Sequence, residues 1–199
     1  MSKTANELLE VNFVGQIMSG EGVAGDGGAH CTWKLVGGEG WKHRHGAIEG
    51  DSQSALPSEG VCVWQHPVDA CFQCTMQQAD DSWPHLEIEV RARDGYDRSD
   101  LAGYGLISLP RAPGIHQLNC HLWRPKGSLI DRISAYFIGG QPQLKSSKLL
   151  SGMDCQDERG QTVLTRSYAG QRLHTVSAGT VSISVAICVQ RMETGTKAS

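Results

Sequence analysis

The chain has 199 residues, a length that suits one domain with room for a sizeable core. Lys and Arg total 18 against 21 Asp and Glu, a net charge of −3, which argues against a protein that lives on nucleic-acid backbones. Hydrophobic residues make up 39% and charged residues 20%, the balance of a soluble globular chain. The 24 glycines are not periodic, so they imply many tight turns between short strands rather than a collagen-like tract.

Residues 1–10 carry Glu7 and Glu10 and no apolar run, so they read as a flexible lead-in and not as a signal peptide. No stretch approaches the ~18 apolar residues of a membrane span. The seven cysteines, Cys31, Cys62, Cys71, Cys74, Cys120, Cys155 and Cys188, are odd in number in a chain too large to need a disulfide framework. A reducing, intracellular compartment is the expectation.

In chain order, Val11–Met18 is the first strand. A glycine-rich loop follows over 19–28. Cys31, Trp33 and Leu35 alternate with Thr32 and Lys34, the period of a strand. Trp41 and its neighbours form a further short strand, and 49–60 is polar and turn-rich. Val61–Trp64 is extended; Pro67 punctuates it, and Val68, Ala70, Phe72 and Cys74 then share one face. Leu86, Ile88, Val90 and Ala92 point one way and Glu87, Glu89, Arg91 and Arg93 the other, which predicts a strand with one solvated face. Leu101–Leu109 is the next strand, with Gly103 and Gly105 marking a bulge or a close backbone approach. Ile115–Leu122 is extended again.

The period then changes. Ser128 and Asp131 sit as in a capping box, and Leu129, Ile133, Tyr136 and Phe137 form a helical stripe that ends at Gly139-Gly140. Residues 145–170 read as a loop insertion. Gly179 opens a last strand with Val181, Ile183, Val185, Ile187 and Val189 on one face, and 191–199 reads as a disordered tail. About eight antiparallel strands, one short helix and no βαβ alternation predict an all-β antiparallel sandwich over 11–190.

Most chemical motifs fail on context. Gly20-Glu-Gly-Val-Ala-Gly25 spells G-x-G-x-x-G, but another strand follows where the dinucleotide fingerprint needs a helix. Cys71-x-x-Cys74 lies in a period-2 segment, so its two thiols face opposite sides of a sheet. His43, His45, His116, Cys120 and His121 have no zinc-motif spacing. There is no G-x-S-x-G, H-E-x-x-H or P-loop, so neither catalysis nor a cofactor is expected. Asp94, Asp97 and Asp100 in one loop, with Asp26 in a facing loop, are weak calcium ligands, because few carboxylates and an intervening Arg98 leave a poor site. Turn formation is their ordinary role.

Eight strings in order carry a resemblance. They are Val14-Gly-Gln-Ile-Met18, Trp64-Gln-His-Pro-Val-Asp69, Trp83-Pro84, Leu101-Ala-Gly-Tyr-Gly105, Pro113-Gly-Ile-His-Gln-Leu118, Trp123-Arg-Pro125, Gly139-Gly-Gln-Pro-Gln-Leu144 and Arg172-Leu-His-Thr175. Together the chain resembles the B9 domain family from about Val11 to Val189, departing from it over 37–60 and 145–170. The resemblance implies a C2-like β-sandwich that is not an enzyme. It also implies a scaffold subunit of the Meckel-syndrome complex at the ciliary transition zone, near the basal body, needed for cilium assembly and for the barrier at the cilium base. Other B9 domain proteins and members of that complex are the partners it implies, with no nucleic acid. Cytoplasm, cytoskeleton and cilium base are the location it implies.

The alternative is a peripheral membrane module binding phospholipid, with or without calcium, through Lys42, Arg44, Arg124, Lys126 and Arg132. Two features bear on assembly. The second face of the last strand carries Ser182, Ser184, Ala186, Cys188 and Gln190, small and mostly uncharged. Such a face is either covered by a partner or the insertion, or simply polar and exposed. Trp123 beside Arg124 is either an exposed binding anchor or a tryptophan buried under the helix.

Overall fold

A computed structural model describes residues 7–23, 26–76, 83–96, 98–125 and 175–193. Among the described residues, nine antiparallel strands form one curled sheet in the order β3-β5-β1-β9-β8-β7-β6-β2-β4. They are β1 (Glu7–Glu21), β2 (Ala29–Val36), β3 (Lys42–Gly46), β4 (Glu49–Asp51), β5 (Val61–Thr75), β6 (His85–Arg93), β7 (Ser99–Ser108), β8 (Gly114–Pro125) and β9 (Thr175–Glu193). The all-β antiparallel expectation holds. The expected helix over 128–138 and the insertion over 145–170 lie outside the described residues. Among the described residues no helix is long and apolar enough to cross a membrane.

The sheet folds over where β7 meets β8, because those strands share a single register pair, Tyr104 with Trp123. The arm β3-β5-β1-β9-β8 thereby faces the arm β7-β6-β2-β4 across one core. Val11, Phe13 and Ile17 of β1 and Val181, Ile183, Val185 and Ile187 of β9 supply one side; Cys31, Trp33 and Leu35 of β2 and Leu86, Ile88 and Val90 of β6 supply the other. Each of these sets has the period of 2 that places alternate side chains on one face. The indole of Trp64 donates to the Ala29 carbonyl at 2.9 Å and ties β5 to β2 across the core. Phe13 stacks edge-on against Phe72 and Trp83, with centroids 6.3 and 6.4 Å away.

Gly103 and Gly105 mark both a bulge and a close approach. The β6–β7 register slips between Val90 and Arg91, and a side chain at Gly105 would meet the Cys120 sulfur and Leu122. Missing side chains there let β8 settle against β7 where the sheet turns.

Three details differ from the expectations drawn from sequence. β1 begins at Glu7 and β9 ends at Glu193, so the central pair of strands extends into both expected flexible ends; Leu9 enters the core and draws the lead-in with it. The run through Pro67 is one strand, β5. β3 pairs with Ala70–Gln73, so among the described residues Pro67 has no strand beside it on that side of β5, where a missing N–H costs little. Finally, the charged face of β6 is not fully solvated. Glu87 is buried between Lys34 and Leu106, with its carboxylate 3.7 Å from His85 Nε2, while Glu89 and Arg91 pair at 2.8 Å, half-buried.

Candidate interaction site

The outward face of β1, β9 and β8 is built from residues in register. Val14, Ala186 and Ile115 form one row; Gln16, Ser184 and Gln117 the next; Ser19, Ser182 and Asn119 a third; Asn12 and Cys188 flank them. No residue in this block is an acid or a base. Four of its polar side chains pair with one another: Gln117 Nε2 donates to Ser184 Oγ at 3.0 Å, and Ser182 Oγ donates to Asn119 Oδ1 at 3.2 Å. Two apolar side chains stand out from this surface, Val14 at 48% and Ile115 at 79% exposure. Neutral polar groups that are already bonded cost little to desolvate, and charge depletion is the compositional mark of an interface centre. The sequence placed Ser182, Ser184, Ala186 and Cys188 on one face; it did not show that Val14 and Ile115 flank Ala186, because that is a matter of strand order.

Trp123 is not an exposed anchor. It is 1% exposed and packs with Leu101 and Tyr104 in a small cluster separate from the main core, its ring 5.5 Å from that of Tyr104. Alternation along β8 sends Leu122 into the main core with Cys120 and leaves Trp123 on the opposite face, where Leu101 and Tyr104 of β7 bury it. Arg124 beside it is exposed.

Arg124 lines a cleft of about 550 Å³ at one end of the sheet, together with Asp26, Arg93, Asp94, Asp100 and Gly179. Three of the four acidic residues singled out from sequence thus converge, and Asp97 lies outside the described residues. Asp94 is already engaged. Its Oδ1 accepts the backbone N–H groups of Tyr96 and Arg98 at 2.9 Å each, and its Oδ2 accepts the Arg98 guanidinium at 2.7 Å. These bonds, led by the Arg98 N–H, hold the carboxyl below the usual carboxylate range. The loop is an Asx turn with an ion pair, and two arginines share the cleft with the carboxylates.

Among the described residues the basic ones do not gather. Lys42 and Arg44 lie on β3, against the end of β5 that pairs with the start of β1, whereas Arg124 lies beyond the other end of β1. Lys126 and Arg132 fall outside the described residues.

Of the six described cysteines all are free and Cys188 alone is exposed. Cys74 joins the core and Cys71 does not, so the C-x-x-C pair does split across the sheet. Burial raises both thiols to about 11; for Cys71 the Glu10 carboxylate adds to the rise and Arg44 opposes it. His116 bonds the Ala112 carbonyl and His121 bonds Thr180, so neither meets Cys120 in the core. One set of mixed donors does come together among the described residues: Glu10, His45 and Cys71, with their ligand atoms all within 4.8 Å of one another.

Comparison with known proteins agrees with the resemblance. The family model described as B9-C2, ciliary basal body-associated B9 protein, matches residues 11–188. B9 domain-containing protein 2 of Rattus norvegicus is 34% identical over 188 residues, covering 94% of this chain and 97% of the relative. The Homo sapiens protein of that name is 33% identical over the same shares. B9 domain-containing protein 1 of Xenopus laevis is 30% identical over 165 residues, 79% of this chain and 81% of the relative. Among solved structures, a C2 domain of plant extended synaptotagmin 1 overlays 93% of this chain and 96% of its own at a TM-score of 0.40 and 8% identity.

Proposed function

We propose that this chain, which belongs to the B9-C2 family of ciliary basal body-associated proteins, is a non-enzymatic scaffold subunit of a complex at the ciliary transition zone. In this reading its partners are other B9 domain proteins and members of that complex, and its work supports cilium assembly and the barrier at the cilium base. The observation that carries the scaffold role is the uncharged block on the outward face of β1, β9 and β8, where Val14 and Ile115 are exposed in one row with Ala186. A domain of related sequence presenting a similar flat strand surface is the occupant that fits, since neutral, self-bonded polar groups exclude nothing but charge. The cleft does not favour the calcium-dependent membrane alternative, because Asp94 spends both oxygens on Arg98 and its own turn.

The test is a tagged full-length chain in ciliated cells, followed by identification of what co-purifies. Concentration at the cilium base and recovery of other B9 proteins support the reading, and Ser184→Arg should lose that recovery while still folding. A tagged chain spread evenly through the cell, with no B9 protein recovered, refutes it. Calcium-dependent flotation on phosphatidylserine vesicles would replace it with the membrane reading.

A further inference from the structure

Cys71 is the centre of a small arrangement that three strands make. On β5 it lies directly opposite His45 of β3 and opposite Asn12 of β1. Glu10, which opposes Gln73, is one diagonal step away, and a glutamate side chain spans a cross-strand diagonal. The neighbours Phe72 and Cys74 enter the core, so Cys71 and its partners share the other face.

We propose that Glu10, His45 and Cys71 bind one zinc-class divalent transition-metal ion, with solvent completing a tetrahedral site. Three observations support this. The first is the donor set: a thiol, an imidazole and a carboxylate are the three protein ligand types of Zn²⁺, whereas a single carboxylate among them is a poor cage for calcium or magnesium. The second is distance. Metal–ligand bonds of about 2.0–2.3 Å place tetrahedral donors about 3.5 Å apart. The three donors already lie within 4.8 Å, so small side-chain rotations close the site.

The third is bracing. The register slips between His43 and His45, which seats His45 opposite Cys71. At Gly46, φ is +84°, and any side chain there would collide with the Asp69 carbonyl; Ala47 N–H donates to that carbonyl at 2.8 Å. β3 is therefore clamped to β5 immediately beside His45. The Nε2 of His43 bonds the carbonyls of His45 and Gly46 at 2.9 and 3.1 Å, which leaves His45 as the imidazole opposite Cys71. A thiolate and a carboxylate balance the ion's two charges, so the loaded site is neutral, and binding releases the thiol proton. All five residues of β3 are exposed, so the ion's structural effect is to pin an otherwise thinly held edge strand to β5 and β1.

The experiment uses the full chain, untagged and stripped of metal by chelation, titrated with Co²⁺ and then Zn²⁺. One equivalent of Co²⁺ should give the visible bands of a tetrahedral ion with a sulfur-to-cobalt charge-transfer band, and Zn²⁺ should displace it. Cys71→Ser should lose the charge-transfer band. His45→Gln and Glu10→Gln should each weaken binding at least about tenfold, the lower range seen even for outer-shell partners. Amide exchange over Lys42–Gly46 should slow on adding Zn²⁺. His45 is exposed, so its variant decides the matter even if Cys71→Ser misfolds. Absence of saturable binding, absence of the sulfur band, or affinity unchanged in both His45→Gln and Glu10→Gln overturns the site.

Discussion

Replacing Val14 and Ile115 together by serine probes the proposed partner face at its two apolar points. Complete burial of an isoleucine or valine side chain is worth about 1.5–3 kcal/mol. Ile115 is 79% exposed, so covering it contributes about 1–2 kcal/mol; Val14, at 48%, contributes about 1 kcal/mol. Losing both should weaken the complex by about 2–3 kcal/mol, roughly 30- to 150-fold in Kd. The free domain should hardly notice, since neither side chain is in the core and surface substitutions usually stay within about 0.5 kcal/mol. The assay is calorimetric or surface-based titration of the purified double variant against a recombinant B9 partner, with thermal melting run in parallel. Undiminished affinity with an unchanged melt would refute the assignment of this face. Equal loss from a distant pair of surface substitutions would refute the idea that the effect is local.

Other consequences follow from the packing. Trp123→Ala should cost about 3–5 kcal/mol, the usual range for emptying a buried tryptophan, and lower the melting temperature sharply; a mild effect would mean that the Leu101–Tyr104–Trp123 cluster does not support the fold. Gly15→Ala drives a methyl into the Ser184 carbonyl and the Val185 Cα, backbone that cannot rotate away, so the β1–β9 pair should lose about 2–3 kcal/mol by denaturant unfolding. Asp94 has its carboxyl pKa lowered on folding, so its share of stability is full above the unfolded carboxylate range and disappears as pH falls through the folded value. An NMR titration checks this directly: the Asp94 carboxyl should titrate below the ordinary aspartate range, and a value within or above that range would mean the Arg98 bonds do not persist in solution.

Much of the fold was legible because strand periodicity is local. Alternation in β2, β6 and β9 marked which side chains enter the core, and the glycines of β7 marked where the backbone comes close. Periodicity names two faces without saying what lies against either. Glu87 shows the gap: its strand pattern assigns it to the polar side, and neighbouring strands bury that side. Trp123 shows another: alternation turns it away from the main core, and Leu101 and Tyr104 of β7 bury it there nonetheless.

The sequence alone determined the class: antiparallel β, many turns, no local catalytic motif, and an ordered set of strings shared with one family. It determined that the C-x-x-C thiols part company, because a period of 2 allows nothing else. Only tertiary structure decided which residues are neighbours across strands. Val14 and Ile115 are 101 positions apart and meet at Ala186 through strand order; Glu10, His45 and Cys71 come from three separate strands and meet through register. The physical reason is that sheet hydrogen bonds join segments regardless of their separation along the chain. A surface or a ligand set made across strands therefore leaves no spacing in the sequence to read.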